Sequence, residues 1–304
     1  MADFFGPGGS IDSCAAFGTT SGGVGFDGTG RAGRGGRRDP PRRVSYRAAM
    51  NAPGLPELLD TAVAAARLAG RHTLTFFNAK TAVEFKADKS PVTQADREAE
   101  LLVRDHLLAA FPTHSVLGEE HGTVAGDPDY QWIIDPIDGT KSFIHGVPLY
   151  STLVGLQVKG RPTVGVIYLP ATDDIVFAAT GLGCFHNDAP ARVSAVDTLA
   201  DALICCSDVT MAVDRSDAYL TLARQCKYSR TWGDAYGYYL VATGRAEVML
   251  DPEMNPWDCA AIIPVIQEAG GWCSSWAGQV TIDGGDLFAA NSRLAKQVQH
   301  VLER

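Results

Sequence analysis

No apolar run in this 304-residue chain approaches the roughly eighteen residues that a membrane-crossing helix needs, so a bilayer is not expected as a partner. Positive charge is in short supply. Lys and Arg number 26 against 35 Asp and Glu, a formal net charge of −9, which makes nucleic acid a poor main partner. The seven cysteines (14, 184, 205, 206, 226, 259 and 273) include no Cys-x-x-Cys pair. An odd, scattered set without zinc spacing suits reduced thiols in a cytoplasm, most of them buried as small hydrophobes. His121 has no second histidine at ligand spacing, which leaves out a zinc site. What is present is globular: 46% hydrophobic and 20% charged residues.

The first 49 residues differ from the rest. They hold 12 of the 32 glycines, seven arginines and four acids, with no apolar periodicity. Such a segment cannot bury enough surface to offset chain entropy, and it lacks the apolar core of a secretory signal. Residues 1–49 are expected to be a disordered Gly/Arg-rich extension upstream of a natural start at Met50. An RNA-binding tail is the alternative reading of the same composition.

From Leu55 apolar residues recur at helical spacing to about Gly70. A short strand follows at Val83 to Lys86. Thr93 reads as an N-cap with Asp96 at the capping-box position, opening a helix that Phe111-Pro112 ends. Val116-Leu117 is a strand leading into Gly118-Glu119-Glu120, and Trp132-Ile133-Ile134 is a buried strand. Strands from Leu149, Thr163, Ile175 and Cys184, each bounded by Gly, Pro or Asn-Asp, make an antiparallel meander. From about Ala191 strands and helices alternate, ending in a helix from Asp258 stopped at Gly270-Gly271, two more strands and a last helix. The expected organisation is an α+β first half, 50–190, and an α/β second half, 191–304, with a cleft between them.

Asp135-Pro136-Ile137-Asp138-Gly139-Thr140 is the stretch that carries chemistry. Pro136 removes a donor and fixes φ, so the strand is expected to turn there and leave both acids at the sheet edge. Oxygen ligands suit Mg²⁺, and free backbone N–H groups suit a phosphate. A simple Asx-type turn is the other reading of Asp-Gly. Asp96 could be only a carboxylate near a helix dipole, Asp234 only a helix N-cap, and Tyr236 and Tyr238 only packing aromatics. Were Glu119, Asp135, Asp138 and Asp258 to converge, they would repel one another without a cation. With two or three Mg²⁺ the set becomes stable and suits phosphate ester hydrolysis.

Gly118-Glu119-Glu120, Trp132 through Thr140, Trp257-Asp258-Cys259-Ala260-Ala261 and Glu268-Ala269-Gly270-Gly271 resemble, in order, the signatures of the inositol monophosphatase family. That resemblance covers about Pro56 to the C-terminus. It implies a layered αβαβα sandwich of the inositol monophosphatase and fructose-bisphosphatase type, Mg²⁺-dependent phosphatase activity and a homodimer. It also implies roles. Glu119, Asp135 and the Ile137 carbonyl would hold one metal, Asp135, Asp138 and Asp258 a second, and Glu119 would face a third. Asp96 and Thr140 would position and activate the attacking water. The N–H groups of Gly139 and Thr140 would hold the phosphate, with Lys86 nearby.

Asp138-Gly139-Thr140-Lys141-Ser142-Phe143-Ile144 and Gly233-Asp234-Ala235-Tyr236-Gly237-Tyr238 look like the histidinol-phosphate branch of the family. This implies hydrolysis of L-histidinol phosphate to L-histidinol and phosphate, a step of histidine biosynthesis. Asp251 lies seven residues before Asp258, where the inositol enzymes place an acid near the sugar. Asp251 and Asp234 would then grip a cationic substrate. The alternatives are a broader phosphatase of inositol monophosphates or adenosine 3′,5′-bisphosphate, and a non-catalytic binding protein that uses the Gly/Arg tail.

Overall fold

The strand that contains Trp132, Ile133 and Ile134 runs from Asp127 to Asp138 and lies inside a sheet. The computed structural model describes residues 53–79, 82–86 and 91–303; the sequence readings on residues 1–49 and Met50 lie outside them. In chain order, α1 (Leu55–Thr73), β1 (Val83–Phe85), β2 (Pro91–Thr93) and α2 (Gln94–Ala110) come first. Next are β3 (His114–Gly118), β4 (Gly122–Val124), β5 (Asp127–Asp138) and the short α3 (Thr140–Ile144). The meander comprises β6 (Ser151–Val158), β7 (Arg161–Leu169), β8 (Asp174–Ala179), β9 (Gly183–His186) and β10 (Ala189–Pro190). The remainder is β11 (Leu203–Cys206), α4 (Val209–Arg215), α5 (Ala218–Gln225), β12 (Tyr228–Arg230), α6 (Asp234–Ala242), β13 (Val248–Asp251), α7 (Pro256–Glu268), β14 (Gly271–Ser274), β15 (Leu287–Asn291) and α8 (Ala295–Leu302).

Strands β10-β9-β8-β7-β6-β5-β3-β4 form an eight-stranded sheet, antiparallel apart from the β3–β5 pair. Strands β12-β11-β13-β15-β14 form a five-stranded mixed sheet. Side-chain alternation along the strands builds the layers. Trp132 and Ile134 of β5 pack with Leu58, Ala62 and Ala66 of α1 and Val103 of α2. Ile133, between them, points the other way into a core shared with Tyr238 of α6 and Ala260, Ile263 and Val265 of α7. Met249 and Ala289 of the second sheet reach that same core from the far side, while Leu250 and Ala290 face Leu222 of α5 and Val298 of α8. The order is helix, sheet, helix, sheet, helix: an αβαβα sandwich.

The structure corrects the reading of Pro136. The strand does not turn there. Asp135 pairs with Leu153 and Asp138 with Ser151, so an extra residue is taken up as a bulge and β5 continues. A bulge leaves a residue unpaired, which is where a proline without an N–H fits in a sheet. The Pro136 carbonyl accepts a 2.9 Å hydrogen bond from the Thr152 hydroxyl. Nor are the acids at a sheet edge: β5 lies between β3 and β6, and Asp135 and Asp138 are 2% and 8% exposed. A helix absent from the sequence reading, α4, starts at Asp208, whose carboxylate accepts from the Met211 N–H at 3.0 Å.

Candidate active site

Two elements deliver the three acids to one place. The β5 bulge presents Asp135 and Asp138, and the first turn of α7 presents Asp258. One carboxylate oxygen from each lies within 4.8 Å of the others. Each acid is fixed locally. Asp135 accepts from the Ile137 N–H at 3.0 Å across the bulge. Asp138 accepts from the Ser151 hydroxyl at 2.9 Å and from the Ala235 N–H, at the start of α6, at 2.8 Å. Asp258 is the third residue of α7, closes a capping box with Asn255 and accepts from the Asn255 N–H at 2.7 Å. Ser151 and Asn255 were not singled out in the sequence. Asn255-Pro256-Trp257-Asp258 does carry the capping-box spacing that would have found the second, whereas Ser151 carries no local signal.

Glu119 lines the same cleft and its carboxylate faces Asp135. Its carboxylate is neutralised by the Lys86 ammonium at 2.7 Å, and Lys86 also reaches Glu120 at 2.6 Å. Burial opposes the charge on Lys86, but the two glutamates outweigh it and hold the ammonium above its ordinary range. Asp96 accepts from the Thr93 N–H at 2.8 Å and its hydroxyl at 2.6 Å, as the capping-box reading expected. It is tied to Thr93 and not to Thr140, whose hydroxyl donates to the Ile137 carbonyl at 3.0 Å.

A cavity of about 380 Å³ opens over these residues. Glu119, Asp135, Ile137, Asp138, Gly139, Thr140, Asp234, Asp251 and Asp258 all line it; Lys86 and Asp96 do not. Asp234 opens α6 with φ at +53°, a left-handed conformation that Asp tolerates better than most residues. Its N–H donates to the Ser207 hydroxyl at 2.8 Å. Asp251, at the end of β13, is 3% exposed, and its Oδ2 has no hydrogen-bond partner.

Burial is the first cause of raised carboxyl pKa values throughout, with mutual repulsion added. Asp135 is held well above the usual carboxylate range by burial and by Glu119, Asp138 and Asp258. Asp138 is raised by burial and by Asp234 and Asp258. Asp258 is pushed up to about 7 and Asp96 to about 6. An unfolded carboxyl titrates near 4, so the folded chain holds these protons more tightly. Their contribution to stability is complete below about pH 4 and is lost as pH rises through about 6 for Asp96 and about 7 for Asp258. The chelator-treated protein is therefore expected to melt several degrees higher at pH 6 than at pH 8, with excess divalent cation narrowing the gap. Equal melting temperatures at the two pH values would mean that these acids are not held as described. The donor set itself fits a hard cation: carboxylate oxygens only, close together, and costly to ionise without one.

Clustered carboxylates in a cleft at the end of a sheet, within an αβαβα sandwich, make the layout of a metal-dependent phosphatase. A sequence profile of the inositol monophosphatase family matches residues 55–303, and the chain belongs to that family. A histidinol-phosphatase from Chlorobaculum parvum is 41% identical over 244 residues, which is 79% of this chain and 94% of that one. An inositol-1-monophosphatase from Rhizobium meliloti is 34% identical over 229 residues, 73% and 86% of the two chains. Among solved structures, the extragenic suppressor protein suhB from Bartonella henselae is similar with a TM-score of 0.76 at 29% identity, covering 81% of this chain and 98% of that one.

Proposed function

We propose that this phosphatase hydrolyses L-histidinol phosphate to L-histidinol and phosphate, with Mg²⁺. The observation that carries the substrate is the pair Asp234 and Asp251. Both line the cleft and lie outside the three-aspartate group, and Asp251 keeps a buried, unpartnered carboxylate oxygen. A buried acceptor without a donor is costly. An alkylammonium, as histidinol phosphate carries, supplies the donor, and its charge favours the ionised form of two carboxyls that burial otherwise holds above the usual range. A neutral polyol phosphate gains less.

In this reading Asp135, Asp138 and Asp258 hold Mg²⁺, with Glu119 and the Ile137 carbonyl completing a set of two or three ions. The cation supplies charge neutralisation for the phosphoryl oxygens and acidifies water. The chain's own residues do the rest. The N–H groups of Gly139 and Thr140 bind the phosphate. The Thr140 hydroxyl orients the attacking water, and the pairing with Asp96 that the family resemblance implies needs Asp96 to leave its cap on Thr93. Lys86 offsets the charge on Glu119. Six described cysteines are free and five of them buried, which suits a reducing cytoplasm. A homodimer is carried over from the family resemblance.

Phosphate release from a substrate panel with Mg²⁺ tests this. Histidinol phosphate is expected to exceed inositol 1-phosphate by about tenfold or more in kcat/KM, the scale of one good charged contact. Asp234→Asn, which keeps a residue suited to the left-handed backbone, should shrink that preference by weakening the amine-bearing substrate. Equal use of both substrates by the wild type, or an unchanged preference in the variant, would point instead to a broader phosphatase.

A further inference from the structure

Below the Glu119 loop, away from the cleft, a carboxylate is completely buried. Glu100 lies on α2, one turn beyond Asp96, and is 0% exposed. Its Oε2 accepts from the Glu120 N–H at 2.6 Å, and its Oε1 from the His121 N–H at 3.1 Å. Its charge is met by Arg104, 5% exposed, whose Nε donates to Oε1 at 2.6 Å. The same guanidinium donates to the Gly122 carbonyl. One ion pair thus takes up two amides and a carbonyl of the loop from 118 to 122.

Gly118 makes the fit closer. A Cβ there would lie 2.2 Å from Glu100 Oε1, so the carboxylate fills the space that any other residue at 118 would need. The Glu119 N–H donates to the Ile134 carbonyl of β5 at 3.3 Å, tying the loop to the strand that carries Asp135 and Asp138. With the backbone held on both sides, the Glu119 carboxylate is presented at the cleft, where Lys86 meets it.

We propose that Glu100, backed by Arg104, is a positioning residue for divalent-cation binding: it acts through the Glu119–Glu120 backbone and fixes where the Glu119 carboxylate stands. The inference rests on the metal reading above. Carboxylates and amides that orient metal ligands from behind them change metal affinity by about 10–100-fold when altered. Glu100→Gln keeps the shape but replaces one acceptor oxygen with a donor that faces an N–H, so the loop must shift.

The test is Mg²⁺ binding by calorimetry and Mn²⁺ binding by electron paramagnetic resonance. Both are done on the full chain without substrate, well below the melting temperature. Wild type is expected to bind both ions, and Glu100→Gln to bind each about tenfold or more weakly. Arg104→Lys is the second variant. It keeps the charge beside Glu100 but cannot also span to the Gly122 carbonyl, and it is expected to weaken binding about threefold or more, which keeps the idea testable if Glu100→Gln fails to fold. A purely structural role would lower the urea midpoint while leaving the dissociation constants of folded variants unchanged, and that result overturns the proposal. Absence of metal binding by wild type would overturn the metal reading itself, and this inference with it.

Discussion

Asp138→Asn is expected to lower turnover by at least about a hundredfold, and Asp258→Asn by a similar factor, close to 2.7 kcal/mol of transition-state stabilisation. Asparagine keeps the oxygen that accepts from Ser151 and Ala235 at 138, and the one that accepts from Asn255 at 258, so the local geometry survives. What is lost is a negative charge in a group whose oxygens lie within 4.8 Å of one another. In the metal-free protein that charge is a liability, because burial and neighbouring acids already push both carboxyls up. The variants should therefore melt no lower than wild type in chelator, yet bind Mg²⁺ poorly and turn over slowly in its presence. Steady-state phosphate release at saturating Mg²⁺, set beside thermal melts in chelator, checks both halves. Near-normal turnover in either variant would remove that aspartate from the metal site.

Local chemistry was legible in the sequence where it acts on neighbours along the chain. The Thr93–Asp96 capping box, the apolar face from Leu58 to Ala69, and the alternation that turns Ile133 away from Trp132 and Ile134 all follow from short-range periodicity or reach. The misreading came where a distant strand decides the outcome. Pro136 stays within β5 because the pairing with β6 takes up a bulge there, and nothing in the hexapeptide announces that partner. The bond from Glu119 to Lys86, 33 residues away, is likewise set by tertiary packing and not by local pattern. The five layers were reached through the family resemblance. Periodicity alone gave strands and helices without the order in which they stack.

That stacking has a point where side chains are excluded altogether, and the second large effect is expected there. Gly165→Ala should destabilise the fold by about 3 kcal/mol or more, at or beyond the upper end of ordinary overpacking. Gly165 lies on β7 under α7, and a Cβ built on it falls 2.0 Å from the Ala261 carbonyl oxygen and 2.9 Å from the Ala261 carbonyl carbon. Both are backbone atoms, so no rotamer change relieves the clash; the helix itself must lift. Gly155 on β6 meets α7 in the same way, 2.7 Å from the Ala260 carbonyl carbon, so the sheet cannot tilt away to make room. The helix that must move carries Asp258 in its first turn. Whatever fraction of Gly165→Ala folds is therefore expected to bind divalent cations more weakly than wild type, although no ligand was altered. Gly160→Ala is the control, since that glycine has φ at +72° with nothing within 4 Å of the added carbon. It should cost only the roughly 1–2 kcal/mol of a left-handed backbone and leave metal binding unchanged. Urea unfolding midpoints for the two variants, with calorimetric Mg²⁺ titrations of each, separate the cases. A wild-type midpoint for Gly165→Ala would mean that α7 does not rest on the sheet backbone, and that Asp258 owes its place to something else.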